Sequence, residues 1–348
     1  MARVRIGLDI GATAVRAAEL SVRGYPPALA RAAQVPLPSG AVSGGEVQDQ
    51  AAVVAALQDL WRTGKFRSKE VVLGVANQRV VVREVSVPWL EPKELRQSLP
   101  FQVQEYVPIP LEEAVLDFHV LEEFEQDARR MVRLLLVAAQ KTMINQLVGA
   151  VEASKLRPVG LDLIPFAIVR SVGSADGALD GEDEAIVDIG SDVTSICVHS
   201  WGVPRFVRIL QSGGREVTEA ISRALDVPTD EAERLKRGLD GQNPEKAAHA
   251  QRVASDRAAS FAQDVRSSLE FYLTQTPNAR LSRVLVSGGG SKLDVLQPVL
   301  EEELPADVVQ GRPFHRVRPD LNLPEEVMAE AEPLLAVAVG LALPGGRG

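Results

Sequence analysis

One short pattern occurs twice in this chain, in VRIGLDIGATAVRAAEL at the N-terminus and in EAIVDIGSDVTSICV near the middle. Each time an apolar run, Ile6 to Leu8 or Ile186 to Val187, ends on an aspartate and an Ile-Gly pair. A small polar turn and a second β-rich run follow. Taken singly, each copy reads as a hairpin whose aspartate caps a turn. It reads also as a phosphate loop, in which backbone N–H groups of a small-residue turn face an anion and the carboxylate faces its cation. The two copies superpose without a gap, Asp9 on Asp188 and Gly11 on Gly190, so the pattern points to a duplicated strand, turn, strand unit and two related halves.

The chain is long enough for two such halves. Its 348 residues exceed one ordinary core. A hydrophobic share of 45% with 24% charged residues is that of a folded globular protein. A formal charge of -9 disfavours nucleic acid, whose phosphates demand basic surface. The one cysteine, Cys197, excludes an internal disulfide and a multi-cysteine zinc site, and packing is its expected role. There is no signal-peptide pattern and no apolar run of about 20 residues, so a cytoplasmic protein without membrane insertion is expected. PLLAVAVGLAL, residues 333 to 343, is apolar all round yet too short to span, which predicts a buried helix.

Hydrophobic spacing predicts helices over about 49 to 62, ended by Gly64, over 92 to 105 and over 141 to 156, and another following GLDLIP. Strands are expected over 70 to 75 and 80 to 87, and a hairpin over 114 to 122 and 131 to 138 around the polar turn EQDARR. The acidic, glycine-bearing stretch 173 to 184 reads as a linker. Beyond the second aspartate motif, helices are expected from near Arg215, over 229 to 237 with Thr229 as cap, and over 246 to 274. RVLVSGGGSKLDVL then predicts a strand, three glycines (Gly288, Gly289, Gly290) and a helix. Glycines at such a junction let backbone approach a flat ligand or phosphate closely. Neither a P-loop nor the dinucleotide pattern of three spaced glycines occurs.

The two aspartate loops, the later glycine loop and the stretches FQVQEYVPIPLEEAVLDFHVL, LLVAAQKTMINQLVGAVEASKLRPVGLDLIPFA and GGREVTEAISRALDVPTDEAERLKRG run in one order along nearly the whole chain. This ordered set resembles the actin, sugar-kinase and heat-shock-chaperone ATPase superfamily. Within it the chain is similar to the PilM family of type IV pilus assembly proteins, with the FtsA division proteins as cousins. The resemblance implies an α/β, actin-like (ribonuclease H-like, duplicated) fold of two mixed sheets with nucleotide between them. It places the first half at 1 to 81 and 141 to 180, and an FtsA/PilM-type 1C subdomain at 82 to 140. The second half follows at 181 to 333, with a peripheral part at about 213 to 278, and then a C-terminal helix and tail at 334 to 348.

The resemblance also implies ATP and Mg²⁺. Asp9 and Asp188 would stand on the metal side through water. The backbone of Gly11, Ala12 and Thr13 and that of Gly190, Ser191 and Asp192, with Thr194, would surround the phosphates. Arg16 stands where actin relatives use a lysine. Gly213, Gly214 and Lys236 would frame the nucleotide, with the adenosine against Gly288 to Gly290. The implied partners are the cytoplasmic tail of a PilN-like membrane protein and other pilus components, with self-association left open.

A small-molecule kinase of the same fold is the main alternative. It needs a carboxylate base, and Asp162 in GLDLIP is the nearest candidate, against a capping or surface role. An FtsA-like division protein would favour a membrane-targeting C-terminal helix, whereas this chain ends LPGGRG. Residues 82 to 140 carry eleven acidic and six basic side chains, a net charge of -5. A basic membrane-protein tail would be steered there. Glu94, Phe101, Glu105, Tyr106 and Glu112 are the expected contact residues, while Leu95 and Leu99 are expected to pack the subdomain's own core.

Overall fold

The computed structural model describes residues 4–174, 182–239 and 243–345. The chain opens as a meander, β1 (Val4–Ile10), β2 (Ala14–Ser21) and β3 (Ala28–Pro36), followed by the small β4 (Val42–Ser43) and β5 (Glu46–Val47), α1 (Gln50–Gly64) and β6 (Glu70–Val75). An insertion follows, made of β7 (Val81–Pro88), α2 (Pro92–Gln102), β8 (Ala114–Gln126) and β9 (Arg129–Gln140). The chain returns through α3 (Lys141–Ala153), β10 (Arg157–Leu163) and α4 (Ile164–Val172). The second half opens with β11 (Asp183–Ile189), β12 (Thr194–Ser200) and β13 (Val203–Leu210). It continues through α5 (Gly214–Leu225), α6 (Thr229–Lys236), α7 (Pro244–Gln275), β14 (Leu281–Ser287), α8 (Leu296–Glu303) and β15 (Asp307–Gln310). β16 (Arg318–Pro319), α9 (Glu325–Ala331) and α10 (Ala336–Ala342) close the chain.

The duplication read from the aspartate motifs is visible in the strand pairing. The first sheet has the order β10-β6-β1-β2-β3-β16 and the second β13-β12-β11-β14-β15. In both, the strand that ends on the aspartate is antiparallel to its hairpin partner and parallel to the strand on its other side. Two mixed sheets of matching order result, and each presents its aspartate at the same end.

α1 and α3 cover the outer face of the first sheet through Val53, Leu57, Leu60, Ile144 and Val151. α8 and the C-terminal part of α7 cover that of the second through Val265, Leu269 and Leu300. Between the sheets lie α4 and α10, which explains why PLLAVAVGLAL has no polar face: every residue of α10 is buried. The crossing is tight. A Cβ on Gly340 would stand 2.0 Å from the Ala167 carbonyl oxygen, and one on Gly7 2.0 Å from that of Ala338.

Several elements depart from the sequence expectation. The α2 helix stops at Gln102 rather than Glu105, because Val103 turns fully into the insertion core and Gln104–Tyr106 forms a separate 3₁₀ turn. α3 stops at Ala153, where Lys155 takes a left-handed conformation at φ 66°. Only Asp127 and Ala128, at φ 50° and 59°, form the turn expected over EQDARR, and the flanking residues extend both strands. The α6 helix begins after Pro228 without a side-chain cap from Thr229. β10 was not anticipated. Of the expected linker, residues 175 to 181 lie outside the described residues, while Asp183 and Glu184 already belong to β11. Finally, β16 pairs with β3, so this piece of the segment expected in the second half joins the first sheet.

Glu184 anchors the base of β11, the strand that carries Asp188 at its other end. Fully buried, its carboxylate accepts from Ser174 N at 2.9 Å, Ser174 Oγ at 2.8 Å and Arg283 Nε at 2.5 Å, and meets His199 Nε2 at 2.9 Å. Burial works against the charge, yet the hydrogen bonds from His199, Ser174 and Arg283 prevail and hold its pKa down at about 2. A carboxylate with a depressed folded pKa stabilises above its unfolded value of 4.5, and that stability is lost as pH falls toward 2. Glu184→Gln is therefore expected to lower neutral-pH stability by about 3 kcal/mol and to flatten the acid limb of urea unfolding between those pH values.

Candidate functional site

The two sheets leave a cleft of about 1230 Å³ between them, and both aspartate turns open into it. The turns are built alike. Gly11 N donates to Ala14 O at 3.1 Å and Gly190 N donates to Val193 O at 3.0 Å. In each turn the glycine N–H is thus spent on closure, contrary to the expectation that Gly11 and Gly190 themselves face phosphate. The N–H groups of Ala12, Thr13, Ser191 and Asp192 have no backbone partner among the described residues. They are free to meet an anion between the halves.

Asp9 and Asp188 sit at the strand ends, both 7% exposed. Hairpin register sets Arg16 opposite Asp9 and Ser195 opposite Asp188. Arg16 Nη1 lies 3.5 Å from Asp9 Oδ2. Burial raises the Asp9 pKa, and the Arg16 charge opposes that rise. For Asp188, burial and then the charge of Asp9 prevail over the Ser287 hydroxyl and the Arg16 charge, and push it up to about 7. Asp188 Oδ1 and Arg16 Nε are both buried without a hydrogen-bond partner among the described residues. The two side chains line the same cleft, one with an acceptor that a cation would satisfy and the other with a donor that an anion would, the chemistry of a metal-bound polyphosphate.

The wall beside the second turn is formed by α5. Gly214 N donates to Gly190 O at 3.0 Å and Arg215 N to Ser191 O at 2.9 Å, knitting the helix start to the loop. Gly213 permits this approach, since a Cβ there would lie 2.5 Å from Gly190 O and 2.6 Å from Ser191 O. Thr194 does not line the cleft. It is fully buried and its hydroxyl donates to Ser212 O at 2.8 Å, bracing the same junction from behind.

Gly288, at φ +83°, and Gly290 lie against Ile189, where Cβ atoms would come within 2.5 Å of its carbonyl oxygen and 2.3 Å of its Cγ2. Gly289 lines the cleft with them. Lys236 also lines it, but its ammonium is consumed by Gly214 O at 3.0 Å, Thr218 Oγ1 at 2.8 Å and Glu233 Oε2 at 2.6 Å. What it can offer a ligand is its aliphatic stem, in a lining that also includes Leu239 and Phe261.

Sequence reasoning missed Glu233, Arg215, Arg257 and Lys292, which line the same cleft. Glu233 stands one helical turn before Lys236, a spacing that could have signalled the pair. Burial alone would raise its pKa, but Lys236 and Thr218 bonds hold it low. Asp162 lies outside the cleft lining, paired instead with Arg170 and accepting from Leu163 N at 2.8 Å. No group of three or more metal-ligating side chains occurs among the described residues.

On the insertion, Glu94, Glu105 and Glu112 are exposed and none is ion-paired among the described residues. Phe101 is 82% exposed. Tyr106 is half-buried against the insertion core, in which Leu95 and Leu99 are enclosed.

A family described as type IV pilus assembly protein PilM matches residues 7–345. A solved PilM-PilN type IV pilus biogenesis complex contains a chain 30% identical, with 97% of each chain covered and a TM-score of 0.84. The ethanolamine utilization protein EutJ from Carboxydothermus hydrogenoformans shares the fold at 17% identity, with 99% of this chain and 90% of that one covered and a TM-score of 0.57. MreB5 of Spiroplasma citri, bound to ADP, shares it at 12% identity, with 97% and 94% covered and a TM-score of 0.50. The cell division protein FtsA of Bacillus subtilis is 33% identical over 104 residues, which span 30% of this chain and 23% of FtsA. With the duplicated aspartate loops, the actin-like pair of sheets and a match over nearly its whole length, this chain belongs to the PilM family of type IV pilus assembly proteins.

Proposed function

We propose that this protein is a nucleotide-dependent adaptor of type IV pilus assembly, holding ATP with Mg²⁺ in the cleft and a PilN-like membrane protein's cytoplasmic tail on the insertion. The observation that carries the nucleotide part is the orphaned pair, Asp188 Oδ1 and Arg16 Nε, on two side chains that line one cleft from two halves. Asp9 and Asp188 hold the metal side, the turn N–H groups and Arg16 hold phosphate, and the base lies by Gly288 to Gly290 and the Lys236 stem. Bound Mg²⁺ supplies the countercharge that lets both carboxylates stay ionised. The partner part is supported by the likeness to the PilM-PilN complex and by the insertion's net charge of -5.

Nucleotide acts here as a structural ligand. Two carboxylates beside the second turn are already paired, Asp192 with Arg215 at 2.6 Å and Glu216 with Arg257 at 2.9 Å. Neither is free to deprotonate a water or an acceptor hydroxyl, and Asp9 and Asp188 are assigned to the metal, which weighs against the kinase alternative. Steady-state hydrolysis is expected below about 1 per second, and faster turnover would reinstate that alternative.

The tail reading is tested by titrating a synthetic PilN N-terminal peptide into the folded variants Glu94→Lys, Glu105→Lys and Glu112→Lys. Weaker binding than wild type, and weaker still at high salt, is expected because the steering is screened beyond about 10 Å at 0.1 M. Full affinity in all three, with no salt dependence, would remove the acidic insertion as the docking site.

A further inference from the structure

The insertion touches both halves of the molecule, not only the half from which it springs. Its edge strand β7 runs beside β13, the edge strand of the second sheet, with Cα atoms within 8 Å. β13 then continues through Gln211 and Ser212 into Gly213, the residue packed on the second phosphate turn.

A second bridge crosses at the neck, where the chain enters and leaves the insertion. Arg79 Nη1 donates to Gln140 Oε1 at 2.9 Å, joining the two crossings, and Arg79 also pairs with Glu46. Buried Asn77 donates Nδ2 to Gly44 O at 2.6 Å and to Glu46 Oε1 at 2.9 Å. Gly44, thus held at φ +56°, packs on Gln211: a Cβ there would stand 3.0 Å from Gln211 Nε2. A cavity of about 370 Å³ lies along this seam, with Gly44, Asn77 and Arg79 on one side and Gln211, Ser212 and Gly213 on the other. A hollow seam closed by a few polar contacts, unlike a packed core, can register how far apart the halves stand.

We infer that this seam couples the cleft to the insertion. Nucleotide held between the two phosphate turns fixes the spacing of the halves, hence the Gly44–Gln211 and β7–β13 contacts, hence the insertion. A tail bound on the insertion holds the same contacts from the other end. The inference rests on the nucleotide-and-tail reading above, and linkage requires the effect to be reciprocal.

The test uses the full chain, a fluorescein-labelled PilN N-terminal peptide and Mg²⁺-AMPPNP. Peptide affinity measured by anisotropy is expected to rise about fivefold or more with saturating AMPPNP, and AMPPNP affinity by calorimetry to rise by the same factor with saturating peptide. In Arg79→Ala and Gln211→Ala, each ligand alone should bind within about twofold of wild type while the coupling factor falls toward one. Both ligands binding wild type with no coupling, or with each weakening the other, would overturn the coupling alone, as would undiminished coupling in both variants. Failure of either ligand to bind on its own would overturn the reading of that site, and the coupling with it.

Discussion

Asp188→Asn is expected to make the ligand-free protein more stable and its nucleotide complex weaker. The Asp188 carboxyl is buried, its Oδ1 lacks a partner among the described residues, and its pKa is pushed from 3.8 up to about 7. Between those values the native state keeps a proton that the unfolded state has released, so native stability falls as pH rises through that window. At about 1.4 kcal/mol per pH unit, the cost reaches at most ~4 kcal/mol above pH 7. Asparagine carries no such charge. The gain in melting temperature should be near zero at pH 4 and largest above pH 7. In the complex the sign reverses, because the variant has lost a carboxylate that we propose faces the metal. Affinity for Mg²⁺-ATP should fall by about 1 to 3 kcal/mol, or roughly five- to 150-fold, and Asp9→Ala should lose affinity in the same range. Unchanged calorimetric affinity in both variants would remove the two aspartates from the site.

The second large effect is expected at Gly213→Ala. A methyl group there would sit 2.5 Å from Gly190 O and 2.6 Å from Ser191 O. Either α5 or the second aspartate turn must move, and both are tied together by the Gly214 to Gly190 and Arg215 to Ser191 backbone bonds. Stability should drop by about 1 to 3 kcal/mol, the usual cost of overpacking. Nucleotide affinity should fall at least tenfold, since turn and helix face the ligand together. The neighbouring Ser212→Ala, which removes only a hydroxyl bonded to Glu216 at 3.1 Å, serves as the comparison and should bind almost as wild type does. Equal affinity for Gly213→Ala and wild type would show that the turn can relax without consequence.

The parts of the site that could be read from sequence are those fixed by local geometry. A carboxylate at a strand end, a glycine two residues later and a partner seven residues on describe one hairpin, so Asp9, Arg16 and Asp188 fall where their spacing puts them. The glycines at 288 and 290 are legible for the same reason, being demanded by a backbone that passes against Ile189. Thr194 was misjudged because sequence cannot tell which side of β12 its first side chain takes, and the Ser212 carbonyl claims it. Lys236 belongs to the cleft lining, but the three acceptors around its ammonium come from two helices and appear only on folding. β10 escaped notice because Pro158 and Gly160 interrupt an edge strand that has a bulge between them. The two-residue β16 is set by its partner β3 rather than by its own sequence.

The most direct measurement is a crystal structure of the full chain grown with Mg²⁺-AMPPNP and a PilN N-terminal peptide. The account predicts triphosphate density between Ala12–Thr13 and Ser191–Asp192, a metal bracketed by Asp9 and Asp188, and the peptide against the acidic insertion. Phosphate turns left empty at saturating nucleotide, or nucleotide seated anywhere else on the protein, would contradict it.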